Sequence, residues 1–160
     1  MNHHSDTAKE LFERGYNCAQ SVFAAFCDET GLDMDEALRL SSSFGGGMGR
    51  LREVCGAVTA IFMIAGLKFG YADPLDKEAK AEHYRLIQSL ANEFKEKNGS
   101  FICRELLGLP EGADEPAPAA RTQGYYDTRP CGRLVECAAG MIDELLRDKG
   151  AAERFQQVET

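Results

Sequence analysis

The sequence predicts an all-α protein, a single-domain bundle of five to seven helices with a long loop before the last helix. Apolar residues recur at helical spacing along most of the chain, and capping residues precede several of these runs. No segment alternates apolar and polar residues as a half-buried strand does. The 160 residues suit one domain with a full core. We therefore assign residues 1–150 to one helical domain that carries the cysteine site, and residues 151–160 to a polar tail that frays.

The first predicted helices are marked by their caps. Residues 16–30 carry an apolar face, and Asn17 is a good N-cap with Gln20 three residues later. Gly31 ends this helix, and Asp33 with Glu36 resembles the capping box of a second, shorter helix that reaches about Ser42.

The longest predicted helix begins at Asp73 and ends at Gly99, where a glycine can adopt the left-handed conformation that closes helices. Ser100 then caps a short helix that ends at Gly108. Before both of these, residues 54–67 form the most apolar run of the chain and predict the central helix of the core. The alternative for this run is a homo-oligomer interface.

The segment before the last helix differs from the rest in composition. Residues 108–130 are rich in proline, glycine and alanine, so they predict a long loop packed over the surface. The last helix is predicted from about Pro130 to Lys149.

Charge and hydropathy limit the partners and the compartment. The net charge of -8 and the pI near 4.9 argue against nucleic acid and anionic lipid, whose phosphates need clustered basic residues. The N-terminus lacks the order of a signal peptide, and the longest apolar run is shorter than the roughly 20 residues that cross a bilayer. We therefore expect a cytoplasmic protein without membrane insertion.

Four of the six cysteines fall in the first turn of a predicted helix. Unpaired backbone N–H groups and the positive end of the helix dipole favour an anion there, so a thiol is shifted toward thiolate. Cytosolic thiols are normally reduced, which makes metal binding or redox chemistry a better explanation of these cysteines than structural disulfides. The candidate catalytic and metal-ligating residues are Cys18, Cys55, Cys103 and Cys131.

The same cysteines also admit a structural interpretation, because free cysteine often serves as a small buried hydrophobic residue. No CxxC pair is present, so the sequence does not show that the sulfurs meet. Cys27 and Cys137 lie outside the set of four and are interpreted as bystanders.

A glycine run, FGGGMG, precedes Cys55. It lacks the Lys-Ser/Thr ending of a P-loop, so it predicts either a tight connection between packed helices or a nest of backbone N–H groups that donate to a sulfur or another anion. Arg50 and Arg52 would add positive charge beside Cys55. The candidate cofactor-binding glycines are Gly45, Gly46, Gly47 and Gly56.

Four ordered blocks of the sequence carry a family resemblance. YNCAQSVFAAF, SSSFGGGMGRLREVCGAVTAIFMIAGLKFG, CRELLG and CGRLVECAAGMIDELL resemble the successive blocks of the C_GCAxxG_C_C family of redox-active proteins, over about residues 10–147. The resemblance places the family's recurrent cysteines on the four named above. It departs at Ala60, where the family's central motif has glycine, and this puts a tightly fitted cofactor in doubt.

Three functions follow from these observations. In the first, the four thiolates bind an iron–sulfur cluster or another metal for electron transfer. In the second, a metal-free thiol–disulfide oxidoreductase uses Cys55 as nucleophile with a partner cysteine. In the third, the protein is a non-enzymatic helical adaptor with structural cysteines or zinc. The expected partners of a redox function are a redox partner protein, a small-molecule thiol or an electron donor, and a homo-oligomer is compatible with the sequence.

Overall fold

The computed structural model describes residues 3–158, and the side chains of residues 3–150. It confirms the all-α class: this part of the chain contains helices and no strand. Nine right-handed α-helices follow one another, together with a 3₁₀ turn at Ser42–Phe44. They are α1 (His3–Glu13), α2 (Cys18–Ala24), α3 (Cys27–Thr30), α4 (Met34–Ser41), α5 (Gly56–Phe69), α6 (Lys77–Asn98), α7 (Cys103–Leu107), α8 (Gln123–Thr128) and α9 (Cys131–Val158).

The central helix is α5, as the apolar run predicts. Its residues from Gly56 to Ile61 are all buried, and Ile64 and Ala65 extend the buried surface. Helix α2 packs against α5 and α4, while α1 packs against α9, so that α9 and α2 enclose α5 between them. None of the described helices is both long enough and apolar enough to cross a membrane.

Several predicted boundaries are exact. Asn17 and Gln20 form the capping box of α2, and Asp33 caps α4 by accepting a hydrogen bond from the backbone N–H of Glu36. Gly31 and Gly99 end α3 and α6 in the left-handed conformation.

Other boundaries differ from the prediction. The predicted helix of residues 16–30 is interrupted at Ala25 and Phe26 and divides into α2 and α3. The helix predicted from Asp73 is α6, which begins at Lys77 because Asp76, not Asp73, accepts the capping hydrogen bond, from the N–H of Ala79. Its predicted N-cap, Asp73, accepts instead from the N–H of Leu75 in the preceding turn.

The segment predicted as a loop contains one helix of its own. Thr122 caps α8 through its hydroxyl, which accepts from the N–H of Tyr125. The last helix begins at Cys131 and continues past the predicted end to Val158. Of the predicted polar tail, residues 159–160 and the side chains from 151 onward lie outside the described part of the chain.

The glycine run makes a turn of left-handed helix. Residues 46–50 all have φ between 62 and 69°. The backbone N–H of Gly49 donates to the carbonyl of Gly45 at 3.0 Å, which closes the turn. Only glycine adopts this conformation freely, and each other residue in it costs about 1–2 kcal/mol. Met48 and Arg50 are therefore strained, and the surrounding contacts must hold them in place.

We predict that Gly47→Ala destabilises the protein by about 3 kcal/mol or more, from the sum of a left-handed alanine and an overpacked contact. A Cβ at Gly47 would lie 2.6 Å from the Cβ of Cys103 and 2.8 Å from the Cα of Arg52. Gly99→Ala is the control, because Gly99 also has positive φ but nothing within 4 Å. Urea unfolding measures the loss of unfolding free energy in each variant. Equal losses in Gly47→Ala and Gly99→Ala would show that the close contact at Gly47 does not matter.

A second prediction concerns His4, which lies between two carboxylates. Its Nδ1 is 2.6 Å from Asp143, its Nε2 is 2.9 Å from Asp28, and its ring stacks on Phe26 at 4.1 Å. Burial lowers the pKa of His4, but the hydrogen bonds to Asp28 and Asp143 outweigh it, so the pKa is raised.

The stability that His4 contributes is therefore fully present below its unfolded pKa of about 6.5 and is lost as the pH rises through its higher folded pKa. We expect the difference in unfolding free energy between the wild type and His4→Gln to be larger at about pH 5.5 than at about pH 9. Urea unfolding at both values measures this, and a difference that is constant or grows with pH would contradict it.

Candidate active site

Four cysteines stand at the beginnings of four helices. Cys18, Cys103 and Cys131 are the first residues of α2, α7 and α9, and Cys55 immediately precedes α5. Their side chains line one cavity of about 10 Å³, the cysteine cavity. Its remaining wall is apolar and consists of Gly56, Leu106, Leu107 and Leu134. The structure therefore brings together all four cysteines that the sequence singled out.

Main-chain hydrogen bonds join Cys55 to Cys103. The N–H of Cys55 donates to the carbonyl of Phe101 at 2.9 Å, and the N–H of Cys103 donates to the carbonyl of Glu53 at 2.6 Å. An isolated antiparallel bridge between Val54 and Ile102 lies between these bonds. We call this set of bonds the backbone bridge. It holds the start of α5 against the start of α7 although 48 positions separate Cys55 from Cys103.

Close backbone contacts at a glycine bring the start of α5 to the start of α2. A Cβ on Gly56 would lie 2.8 Å from the carbonyl oxygen of Phe44 and 3.0 Å from the backbone nitrogen of Ala19. A larger residue would push the two helix starts apart and move Cys55 away from Cys18. Gly56 therefore acts through packing, as does Gly45, whose Cβ would collide with the side chain of Asn17.

Cys18 and Cys131 form an interacting pair of thiols. A hydrogen bond from the Cys131 thiol lowers the pKa of Cys18 to about 6; burial opposes this, while the N–H of Gly46, the N–H of Cys18 itself and the charge of Arg121 assist it. The same hydrogen bond, together with burial, raises the pKa of Cys131. Because the two thiols share one hydrogen bond, they titrate as a pair, and Cys18 is the more acidic member.

Cys55 and Cys103 are shifted in the other direction. Burial raises the pKa of Cys55 to about 12, and the nearby negative charge of Cys18 adds to the effect. Burial also raises the pKa of Cys103, which a hydrogen bond from Arg52 Nη1 at 3.5 Å opposes. The sequence prediction placed Arg52 beside Cys55, but the structure places it against Cys103, because the left-handed turn directs residue 52 toward the start of α7.

A second, larger cavity of about 350 Å³ lies on the other side of the cysteines. We call it the arginine cavity, because four arginines line it: Arg50, Arg52, Arg121 and Arg129. Cys18, Cys103 and Cys131 belong to the walls of both cavities, whereas Cys55 lines only the inner one. Cys18 is partly exposed, while Cys55, Cys103 and Cys131 are buried.

The loop before α8 forms the outer wall of the arginine cavity. The Asp114 carboxylate binds Arg50 at 3.1 Å and Arg52 at 2.9 Å, and its backbone N–H donates to the carbonyl of Arg50. At the other end of the loop, Arg121 donates to the carbonyls of Phe12 and Tyr16 at 3.0 and 3.1 Å. Both ends of the loop are thus attached to the elements that carry the site.

Four cysteine thiols are the kind of ligand set that holds an iron–sulfur cluster or a zinc ion. Their arrangement does not fit one: no group of three or more His, Cys, Asp or Glu side chains among the described residues is placed to hold a metal ion. The cysteine cavity, at about 10 Å³, holds roughly one water molecule.

Some of the other residues that the sequence singled out lie near the four cysteines, and others lie away from them. Gly45 and Gly46 line the arginine cavity, and a hydrogen bond from the N–H of Gly46 helps to lower the pKa of Cys18, whereas the sequence placed such an N–H nest near Cys55. Cys27 begins α3, and Cys137 accepts a hydrogen bond from Asn98; neither lines the cysteine cavity.

Two residues of the site were missed from the sequence. Arg121 and Arg129 lie in the segment interpreted as a surface loop, where isolated arginines carry no pattern. The available signal was an excess of aromatic residues beside them: Arg121 lies 4.9 Å and Arg129 4.8 Å from the ring centre of Tyr125. An aromatic ring between two guanidinium groups indicates an ordered arrangement.

Comparison with known proteins gives one match. The family model described as "Putative redox-active protein (C_GCAxxG_C_C)" matches residues 16–145. No curated protein and no solved structure matches the chain.

We predict that Cys18 is alkylated by iodoacetamide with an apparent pKa of about 6, because the Cys131 thiol and the N–H of Gly46 stabilise its anion. Cys131→Ala removes the largest cause of this shift, so the apparent pKa should rise toward an ordinary thiol value. Cys131→Ser keeps a hydrogen-bond donor and should retain part of the shift. Peptide mass spectrometry across pH measures each profile, and an unchanged profile in Cys131→Ala would contradict the assignment.

Proposed function

The chain belongs to the C_GCAxxG_C_C family, and from the arrangement of its cysteines we propose that it is a thiol–disulfide oxidoreductase in which Cys18 attacks and Cys131 resolves. The observation that carries this proposal is the contact between the two thiols at the wall that the two cavities share. The family match supports redox activity in general.

The reaction proceeds in two exchanges. The Cys18 thiolate attacks one sulfur of a small-molecule disulfide; a mixed disulfide with Cys18 forms, and the first thiolate leaves. The Cys131 sulfur then attacks Cys18, the mixed disulfide breaks, and the proton of Cys131 goes to a departing thiolate. The protein gains a Cys18–Cys131 disulfide, and the substrate leaves as one thiolate and one thiol. A thiol reductant reverses both exchanges and restores the dithiol.

Cys18 is favoured over Cys55, which the sequence suggested as the nucleophile. Cys55 is only 4% exposed and lines only the inner cavity, the cysteine cavity. A disulfide that enters from solvent would therefore have to pass the other cysteines before Cys55 could attack it. Burial and the charge of Cys18 raise its pKa to about 12, which leaves it protonated at neutral pH. In this proposal Cys55 and Cys103 complete the wall that shields the reacting pair from water.

Binding of an iron–sulfur cluster or another metal is the second candidate. The observation in its favour is that four cysteines, not two, line the cysteine cavity. We derive no step through a metal, because the described side chains form no metal-holding group. An adaptor role, a redox partner protein, a homo-oligomer and a cytoplasmic location stay predictions from the sequence.

We predict that the reduced protein, treated anaerobically with hydroxyethyl disulfide, forms a Cys18–Cys131 disulfide. Peptide mapping after alkylation identifies the linked cysteines. Cys18→Ser should abolish the reaction, whereas Cys131→Ser should stop it at the mixed disulfide on Cys18, because the resolving thiol is absent.

Two variants are the controls. Cys137→Ser, outside the site, and Cys55→Ala, at the back of it, should both still form the disulfide. A reaction that requires Cys55, or a mixed disulfide on any cysteine other than Cys18, would overturn the assignment. Iron, zinc and acid-labile sulfide in anaerobically purified protein would instead support the second candidate.

A further inference from the structure

The arginine cavity is positively charged although the whole chain is acidic. None of the described residues that line it is acidic, and the net charge of the chain is -8. Asp114 binds Arg50 and Arg52 and neutralises one of the four charges. Four guanidinium charges, less the carboxylate of Asp114 and the thiolate of Cys18, leave about two positive charges around a space that opens onto Cys18 and Cys131. Charge of this sign in a concave site concentrates anions.

Arg121 and Arg129 keep their charge. Arg121 donates to two backbone carbonyls, of Phe12 and Tyr16, which orient the guanidinium without neutralising it. Arg129 lies over the ring of Tyr125, and among the described side chains it forms no ion pair. A planar guanidinium held in this way binds a carboxylate through two parallel hydrogen bonds.

Arg52 is fixed in the wall of the cavity by two contacts. Its side chain is 4% exposed, Nη2 donates to Asp114 and Nη1 donates to Cys103. The guanidinium is therefore held between the outer loop and the start of α7, and it adds positive charge beside Cys103.

The rest of the wall suits the body of a small organic molecule. Leu107, Pro116, Pro118 and Tyr125 provide apolar surface between the arginines. The volume of about 350 Å³ lies at the lower end of the range of small-molecule pockets. The space is thus large enough for a short aliphatic chain with charged ends and too small for a folded protein segment.

We infer that the arginine cavity binds a small disulfide that carries carboxylates, and that the arginines present its sulfur to Cys18. This inference rests on the proposed function and names its substrate class. The carboxylates bind the guanidinium groups while Cys18 attacks the near sulfur. One carboxylate-bearing thiolate leaves when Cys18 attacks. Cys131 then resolves the mixed disulfide, and the second half of the substrate leaves as a thiol that carries the proton of Cys131. Substrate and products are all anions that the same arginines recognise.

Three aliphatic disulfides that are similar in size but differ in charge test the inference. They are 3,3′-dithiodipropionate, a dianion; hydroxyethyl disulfide, which is neutral; and cystamine, a dication. The measurement is the rate of Cys18–Cys131 disulfide formation at low ionic strength. We expect the dianion to react about tenfold faster than the neutral compound, and the dication to react slowest. The net charge of the chain alone would produce the opposite order, so equal rates or a preference for cystamine would overturn the inference.

Arg129→Gln tests the cavity directly, because Arg129 is bound only through the Tyr125 ring. It should lower the ratio of dianion to neutral rates about tenfold, and Arg129→Lys should restore part of the ratio. Taking the ratio removes any change in the intrinsic reactivity of Cys18. Arg133→Gln is the matched control, since it removes the same charge from an exposed residue that does not line the cavity. A ratio that both glutamine variants change equally would contradict the inference.

A binding measurement separates this inference from the proposed chemistry. Suberate is the carbon isostere of 3,3′-dithiodipropionate and cannot exchange. Calorimetry with the Cys18→Ser/Cys131→Ser variant should show suberate binding that Arg129→Gln weakens about tenfold. Absence of suberate binding would overturn the inference even where hydroxyethyl disulfide oxidises the pair. Suberate binding without any oxidation would support the anion site and refute the exchange reaction.

Discussion

The site depends on the backbone bridge that joins Cys55 to Cys103. Its hydrogen bonds, from Cys55 to Phe101 and from Cys103 to Glu53, are made by the main chain and do not depend on which side chains surround them. They fix the starts of α5 and α7 side by side, and the close contact at Gly56 then adds the start of α2. Helix α9 packs against α5 and α2, which brings Cys131 to the same place. The four helix beginnings thus meet through the backbone bridge, the close contact at Gly56 and the packing of α9.

Electrostatics then disfavours more than one negative charge among the four sulfurs. Each thiolate in a water-poor cavity raises the pKa of its neighbours, and the charge of Cys18 contributes to the raised pKa of both Cys55 and Cys131. The charge settles at Cys18 because this residue receives the thiol hydrogen bond of Cys131 and the N–H of Gly46. The position at a helix beginning does not by itself decide which cysteine carries the charge, since each of the four cysteines stands at the beginning of a helix. The choice follows from which sulfur has a donor next to it.

This distinction explains how far the sequence could predict the site. Caps and glycine stops are local signals, so Asn17, Asp33 and Gly99 were predicted correctly, and the four cysteines were recognised by their positions at helix beginnings. The roles within the set depend on contacts between residues far apart in the chain. The pairing of Cys18 with Cys131 and the contact of Arg52 with Cys103 have no counterpart in sequence spacing. Ser100 illustrates the limit: its hydroxyl donates to Glu105 and accepts from Ile102, and α7 begins three residues later, at Cys103.

The left-handed turn connects the strain in this fold to its chemistry. Residues 46–50 cost conformational energy, yet they supply the N–H that reaches Cys18 and include Arg50; Arg52 follows two residues later. The N–H of Gly46 lies in the first turn of this segment, where it has no carbonyl partner within the turn, so it is available to the sulfur of Cys18. Asp114 then binds both arginines and fixes the outer loop over the cysteines, so that one strained segment organises the thiolate and the charged wall together.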